Sequence, residues 1–277
     1  MKKVTISGVV MLIILAAAFS GARTALAAAS DGTAPSKKVQ VKGQLVDLSA
    51  LNEERQPDIV NEEPLPLITD EFEWYGRKYI KYYEDYDAIS QEEVGEPLAV
   101  IESSVDQSLI GCTIYRYTPV NCEAIVVVDR NEQLELFQFF TFTSYEDNQD
   151  EHASEYLELF GIYSSEDIEK IEIYYYPDAY SIELEYLMSS QEEIQESYTY
   201  FERLADSSDA YFQALSDHVP PGSTSGTTAL ENSRPIHIYA SNGLKFNMVY
   251  YPKIEFISRY KITDNFAAFL DQKISLQ

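Results

Sequence analysis

Only two of the 277 residues are cysteine, three are histidine and one is tryptophan. Two cysteines are too few for the small disulfide scaffolds, whose loops are held by several bridges. The histidines, His152, His218 and His237, form no HExxH and no other close metal-ligand spacing. They read as a loop residue, a helix C-terminus that favours a positive imidazole, and a strand residue. No G-x-S-x-G elbow occurs. The nearest stretch, Gly222-Ser223-Thr224-Ser225-Gly226, centres on threonine in a low-complexity loop after two prolines. No DxDxDG loop marks a calcium site, so Asp147, Asp150 and Glu151 read first as a solvated acidic loop and second as a loose Ca²⁺ contact. No cofactor or metal centre is expected.

Basic residues are scarce as well, 20 Lys and Arg against 46 Asp and Glu, for a net charge of −26. Such a chain repels nucleic acid and anionic lipid. It attracts a cationic peptide, a basic protein surface or a divalent cation, and the charge also keeps an exported protein in solution. With so many acids, carboxylate pairs at glycosidase spacing arise by chance and specify nothing.

A bilayer-length apolar run is also missing. The longest, Gly8 to Phe19, is short of the ~20 residues that a membrane-spanning helix needs. It follows Lys2 and Lys3 and precedes the small-x-small sites Ala25-Leu26-Ala27 and Ala27-Ala28-Ala29, the pattern of a secretory signal peptide. No cysteine stands there to be acylated. The expected mature protein is secreted, carries no membrane anchor, and, having lost Lys2, Lys3 and Arg23, has a charge near about −29.

What the chain has in excess is tyrosine, 22 residues, with 13 phenylalanines. Tyrosine favours strands and half-exposed sheet faces. The organisation expected is a signal peptide at 1–29, a disordered polar spacer at 30–66 with a short strand near Val39–Leu48, a β-rich domain at 67–146, and an α+β domain at 147–277 with a flexible loop at 220–230. Phe72 to Tyr83 alternates about Tyr75-Gly76 and reads as a hairpin. Ser90 and Glu93 have capping-box spacing for a short helix that Gly95 and Pro97 stop. Strands are expected at Leu98–Ser103, Thr113–Tyr117, Ala124–Val128 and Leu134–Phe142. In the C-terminal half, a hairpin turns at Pro177-Asp178. A second box, Ser190 to Glu193, starts one long helix with Ile194, Tyr198, Phe201, Ala205, Phe212 and Leu215 along its stripe. Asn242-Gly243 turns another hairpin, and Thr263 caps a last helix. The fold class is therefore α+β: antiparallel sheets with few helices, the C-terminal part a two-layer arrangement of hairpin, long helix, strands and helix.

The segments WYGRKYIKY, ISQEEVGEPLAVI and GCTIYRY, with EAIVVV after them, resemble a tyrosine-rich stretch recurrent in exported, often lipid-anchored, uncharacterised proteins of Gram-positive bacteria. The resemblance covers roughly residues 70–130. It implies an extracytoplasmic setting, and no catalytic residue transfers with it. This chain departs from many such proteins in lacking the lipobox cysteine.

The candidate residues follow. Cys112 and Cys122 invite a disulfide in an exported chain. The strand pairing argues against it, because five strand steps of ~3.3 Å exceed the ~4.4–6.8 Å a bridge tolerates. Trp74, Tyr75 and Arg77 offer aromatic and cationic contact to a peptide or glycan, with sheet packing as the alternative. Glu172, Glu183 and Glu185 are expected to share the polar side of one hairpin with Tyr174 and Tyr176, a docking face for a cationic peptide or basic protein surface. The function expected is a secreted, non-enzymatic binding or interaction protein; the alternative is a secreted hydrolase with unrecognised catalytic residues.

Overall fold

The computed structural model describes residues 70–275 except 84, 85, 87, 179, 180 and 222–226, together with the backbone of two short strands nearer the N-terminus. Those are β1 (Lys38–Val41) and β2 (Gln44–Asp47), an antiparallel pair where one short strand was expected. The signal-peptide residues and the rest of the spacer lie outside the described residues, as does the centre of the 220–230 loop. No helix among the described residues is long and apolar enough to cross a membrane.

Among the described residues, two large antiparallel sheets and four α-helices make up the α+β fold. The first sheet holds β3 (Glu71–Trp74), β4 (Arg77–Lys81), β5 (Val94–Val100), β6 (Ser103–Ser104), β7 (Thr113–Tyr117), β8 (Ile125–Arg130) and β9 (Gln133–Phe142), in the order β5-β7-β8-β9-β4-β3-β6. Inside it, between β7 and β9, lies β8, where Val126, Val127 and Val128 are all fully buried. A strand covered on both faces reads as an unbroken apolar run, as this one does. Tyr75 and Gly76 both have positive φ (50° and 69°), the geometry of the two-residue hairpin turn between β3 and β4.

One expected stop is a strand instead. The Ser90–Glu93 box forms, with Ser90 N–H donating to Glu93 Oε2 at 2.7 Å, but it caps only a single 3₁₀ turn. The chain then runs directly into β5 from Val94, through Gly95 and Pro97. Pro97 is tolerated because β5 is an edge strand, and the ladder with β7 shifts register on both sides of it.

Helix α1 (Ala153–Leu159) leads to a 3₁₀ turn at Ser165–Asp167 and then to the second sheet. The sheet comprises β10 (Ile168–Tyr175), β11 (Glu183–Met188), β12 (Arg234–Ala240), β13 (Lys245–Tyr251), β14 (Phe256–Ile257) and β15 (Tyr260–Lys261), ordered β11-β10-β12-β13-β14-β15. Ile171, Ile173, Ile236, Ile238, Met248 and Tyr250 line its buried face. Helices α2 (Gln191–Phe201) and α4 (Asp264–Ile274) pack on that layer: Tyr200 stacks on Phe266 at 4.5 Å, and Tyr250 donates to Asp271 at 3.2 Å.

The single long helix expected after Ser190 is two helices. It ends at Phe201 and resumes as α3 (Ser208–Asp217). Asp206 Oδ1 accepts both the backbone N–H (2.9 Å) and the hydroxyl (2.6 Å) of Ser208, and such local bonds compete with helix continuation. Leu204 is buried between the two helices, and its carbonyl accepts the Ala153 N–H at 3.0 Å. Phe212 and Leu215 therefore leave the α2 stripe and join a small cluster with Tyr211, Tyr251 and Phe256. One continuous core otherwise crosses the Asp147–Glu151 segment, with Tyr156 of α1 edge-on to Phe139 and Phe142 and stacked on Phe246.

Candidate functional site

Strand alternation sends every second residue of β10, β12 and β13 to the face opposite the isoleucines. Directly paired residues share a face. Glu172 lies between Leu187 and His237, and His237 lies opposite Asn247, so Leu187, Glu172, His237 and Asn247 form one row across four strands. Lys170, Tyr239 and Lys245 form the next row. Tyr174, opposite Leu184, stands beyond Glu172.

At the floor of this patch Glu172 and Asn247 are 7% and 8% exposed. Lys170, Tyr174, Tyr239 and Lys245 are half-buried and stand around them. Lys170 Nζ and the Tyr174 hydroxyl each donate to Glu172 at 2.5 Å, and the Tyr239 hydroxyl also bonds the carboxylate. Burial alone would raise the Glu172 carboxyl; these bonds overcome it and leave the group below its usual range. Burial, followed by the Glu172 contact, pushes the Tyr174 phenol up to about 12. Lys170 also lies 4.3 Å from the Tyr239 ring centroid, and the Tyr174 and His237 rings are 4.7 Å apart.

His237 is neutral at ordinary pH, because burial and then the charge of Lys245 lower it to about 4. Burial likewise lowers Lys245, against the attraction of Glu172. No serine, threonine or cysteine stands in either row. The arrangement offers aromatic faces, one compensated carboxylate, one amide, one imidazole and two lysines, of which Lys170 is paired with Glu172.

Glu172 and Tyr174 were the residues the sequence pointed to here. Their expected companions are elsewhere. The β10–β11 ladder shifts register between Ile173 and Tyr174, and beyond the shift Glu183 pairs with Tyr175, not with Tyr174. Glu183 accepts the Tyr175 hydroxyl at 2.6 Å, and Glu185, at the shift, takes Arg234 Nε at 2.5 Å on the side facing the helices. The extra residue of a bulge turns the following side chains to the other face, so the three glutamates do not share one. Tyr176 lies past the end of β10, about half exposed. Lys170, Tyr239, Lys245 and Asn247 were not singled out in the sequence. No local motif marks them, and only the pairing of three distant strands brings them together.

The N-terminal set is largely structural. Trp74 is core, packed 5.9 Å from Tyr79, while Tyr75 at the turn is 82% exposed. Arg77 is held by an ion pair with Glu123 and lies over the Phe142 ring. The two cysteines are free thiols: Cys112 donates to the Ser108 carbonyl, and Cys122 is buried, which pushes its thiol up to about 11. His152 Nδ1 accepts the Asp206 N–H, and His218 Nδ1 bonds the Ala214 carbonyl at the end of α3.

The chain matches no known protein-family profile, no curated protein and no solved structure.

Proposed function

We propose that this chain is an exported, acidic binding protein of the Gram-positive cell surface that takes an extended cationic segment of a peptide or protein along β11. One observation carries the reading. The two large sheets have four edges, and three are blunted: β5 by Pro97 and two register shifts, β6 and β15 by being two residues long. The fourth, β11, is six residues long and has no proline, glycine or lysine. Natural sheets protect such edges unless they are used, and strand addition is their common use. Leu184 and Leu187 are 46% and 43% exposed on β11, with Ile182 just before it. Glu183 is the exposed charge of this strand that no cation among the described residues pairs with, Glu185 being held by Arg234, so a segment that sets a Lys or Arg opposite Glu183 among apolar residues complements it.

Export rests on the signal-peptide pattern at 1–29. The test uses the mature protein from Ser30 with extended cationic, neutral and anionic peptides at low and high salt. Cation-selective binding that weakens with salt is expected, with loss of amide exchange at residues 183–188 on binding. Leu184→Lys and Leu187→Lys, both at exposed positions, should weaken it together. Absence of cation selectivity, or binding indifferent to both substitutions, would overturn the reading.

A further inference from the structure

We propose that Asn242-Gly243, at the tip of the β12–β13 hairpin, is a deamidation site that docking of the two halves of the fold holds inactive and that their separation sets off irreversibly. The site is separate from the β11 edge and does not depend on it.

Chemistry is the first observation. Asn242-Gly243 is the one Asn-Gly step in the 277 residues. An asparagine deamidates when the backbone nitrogen of the next residue attacks its side-chain Cγ. Here the Gly243 N–Cγ bond forms and the Cγ–Nδ2 bond breaks. Nδ2 leaves as ammonia and carries off the Gly243 amide proton. The product is a five-membered succinimide ring, which water opens at either carbonyl to aspartate or isoaspartate. Glycine favours the attack because it has no Cβ to crowd the ring.

Geometry is the second and independent observation, because each group that must react is held. The nucleophile, the Gly243 N–H, donates to the Ala240 carbonyl at 2.9 Å. The leaving group, Nδ2, donates to the carbonyls of Phe160 at 2.9 Å and Val120 at 3.1 Å. Oδ1 accepts the Leu244 N–H at 3.0 Å. Turning Cγ onto the Gly243 nitrogen breaks the bonds that Asn242 makes. Two of these reach out of the hairpin. Phe160 follows α1 and Val120 lies between β7 and β8, 82 and 122 residues away in sequence. Beside them the Ser241 N–H donates to the Asp167 carbonyl at 2.7 Å. The hold on Asn242 is therefore tertiary. It lasts while the hairpin tip is docked, and an undocked tip is an ordinary Asn-Gly turn.

The product does not dock again. Neither aspartate nor isoaspartate has an N–H where Nδ2 stood. A carboxylate oxygen there faces the Phe160 and Val120 carbonyls, acceptor against acceptor. Isoaspartate also adds a methylene to the backbone of a tight turn. Deamidation thus makes a reversible separation of the halves permanent, a timer that runs only in opened molecules.

The experiment holds the purified chain in mildly alkaline buffer, folded and in urea, and follows residue 242 by peptide mass mapping and isoaspartate content. Conversion in urea should be at least about tenfold faster than in the folded chain, the least that three hydrogen bonds supply. Gly161→Ala, whose Cβ would lie 2.8 Å from Asn242 Nδ2, should speed the folded chain at least about twofold. Should that variant not fold, the wild type in urea below its midpoint serves, and its rate should rise in step with the opened fraction. Asn242→Asp, which installs the product, should melt below the wild type. Equal rates folded and unfolded, a rate indifferent both to Gly161→Ala and to the opened fraction, or an Asn242→Asp variant that melts with the wild type would each overturn the proposal.

Discussion

Asn242, at the tip of the β12–β13 hairpin, sits against Gly161 at the end of α1, so close that a Cβ on residue 161 would lie 2.8 Å from Asn242 Nδ2. The contact joins the two halves of the fold. Nδ2 donates to the carbonyls of Phe160 (2.9 Å) and Val120 (3.1 Å), while Oδ1 accepts the Leu244 N–H of its own hairpin. Gly161 has φ +77°.

The first prediction follows from that contact. Asn242→Ala leaves two carbonyls without their donor and should cost about 1–3 kcal/mol. Gly161→Ala adds left-handed strain to the same loss and should cost at least about 2 kcal/mol. The two substitutions should be non-additive, since each breaks one contact. Denaturant melts of the single and double variants check this; full additivity would mean that the residues act separately.

Much of the fold is legible where the signal is local. The limits of β7, Thr113–Tyr117, follow from alternation alone, Tyr75-Gly76 turns with both residues at positive φ, and Asn242-Gly243 turns with the glycine at φ 90°. What escapes is set by tertiary position. Pro97 reads as a stop until β5 is known to be an edge. The α2 stripe reads on through Ala205 because helical periodicity does not register the bonds Asp206 makes to Ser208. Glu183 and Glu185 read as sharing a face with Glu172 because a bulge leaves no mark in an alternating pattern. Of the polar patch, only Glu172 and Tyr174 are visible in sequence. Lys245 and Asn247 belong to it through pairing across β10, β12 and β13.

The second prediction concerns Glu193, read in sequence as one arm of a capping box. Ser190 Oγ does accept the Glu193 N–H, but the Glu193 carboxylate turns to Lys273 (2.6 Å) and Tyr186 (2.7 Å) and ties α2 to α4 and β11. Burial opposes the charge; the bonds from Lys273, Tyr186 and Ser190 outweigh it and hold the group at about 2, against 4.5 when free. A depressed carboxylate stabilises above its unfolded value, and the contribution is lost as pH falls from 4.5 toward 2. Glu193→Gln should therefore lower the melting temperature at neutral pH and match the wild type at the acid end of that window. Equal melting at neutral pH would show that the ion pair contributes nothing.

The cap itself gives the third prediction. Ser190→Ala removes the acceptor for the Glu193 N–H and should cost about 0.5–2 kcal/mol. Ser90 starts only a three-residue 3₁₀ turn, where the Glu93 N–H already bonds the Ser90 carbonyl at 3.0 Å. Ser90→Ala should therefore be close to neutral, and denaturation midpoints of the two variants compare them directly. Equal losses would mean that the cap at Ser190 is not formed in solution.

The last prediction has the opposite sign with pH. Asp150 accepts the Tyr156 hydroxyl at 2.6 Å and the Glu151 N–H at 2.9 Å beneath the junction of α1 with the second sheet. Burial raises its carboxyl from 3.8 to about 6, although the Tyr156 bond and the charge of Arg259 pull it down. A raised carboxyl binds its proton more tightly folded than unfolded. Its stabilisation is complete below 3.8 and is lost as pH rises through about 6. At higher pH the folded chain must hold a buried charge, which asparagine would not carry. Asn keeps an Oδ1 to accept the Tyr156 and Glu151 donors. Asp150→Asn should therefore melt higher than the wild type near pH 8, by a margin that shrinks through pH 6 and vanishes near pH 4. Arg259 is the competing influence: it is 3% exposed, held against the Tyr145 ring, and Asp150 is a nearby counter-charge. A variant that melts lower than the wild type near pH 8 would show that attraction to Arg259 outweighs the burial of the carboxylate.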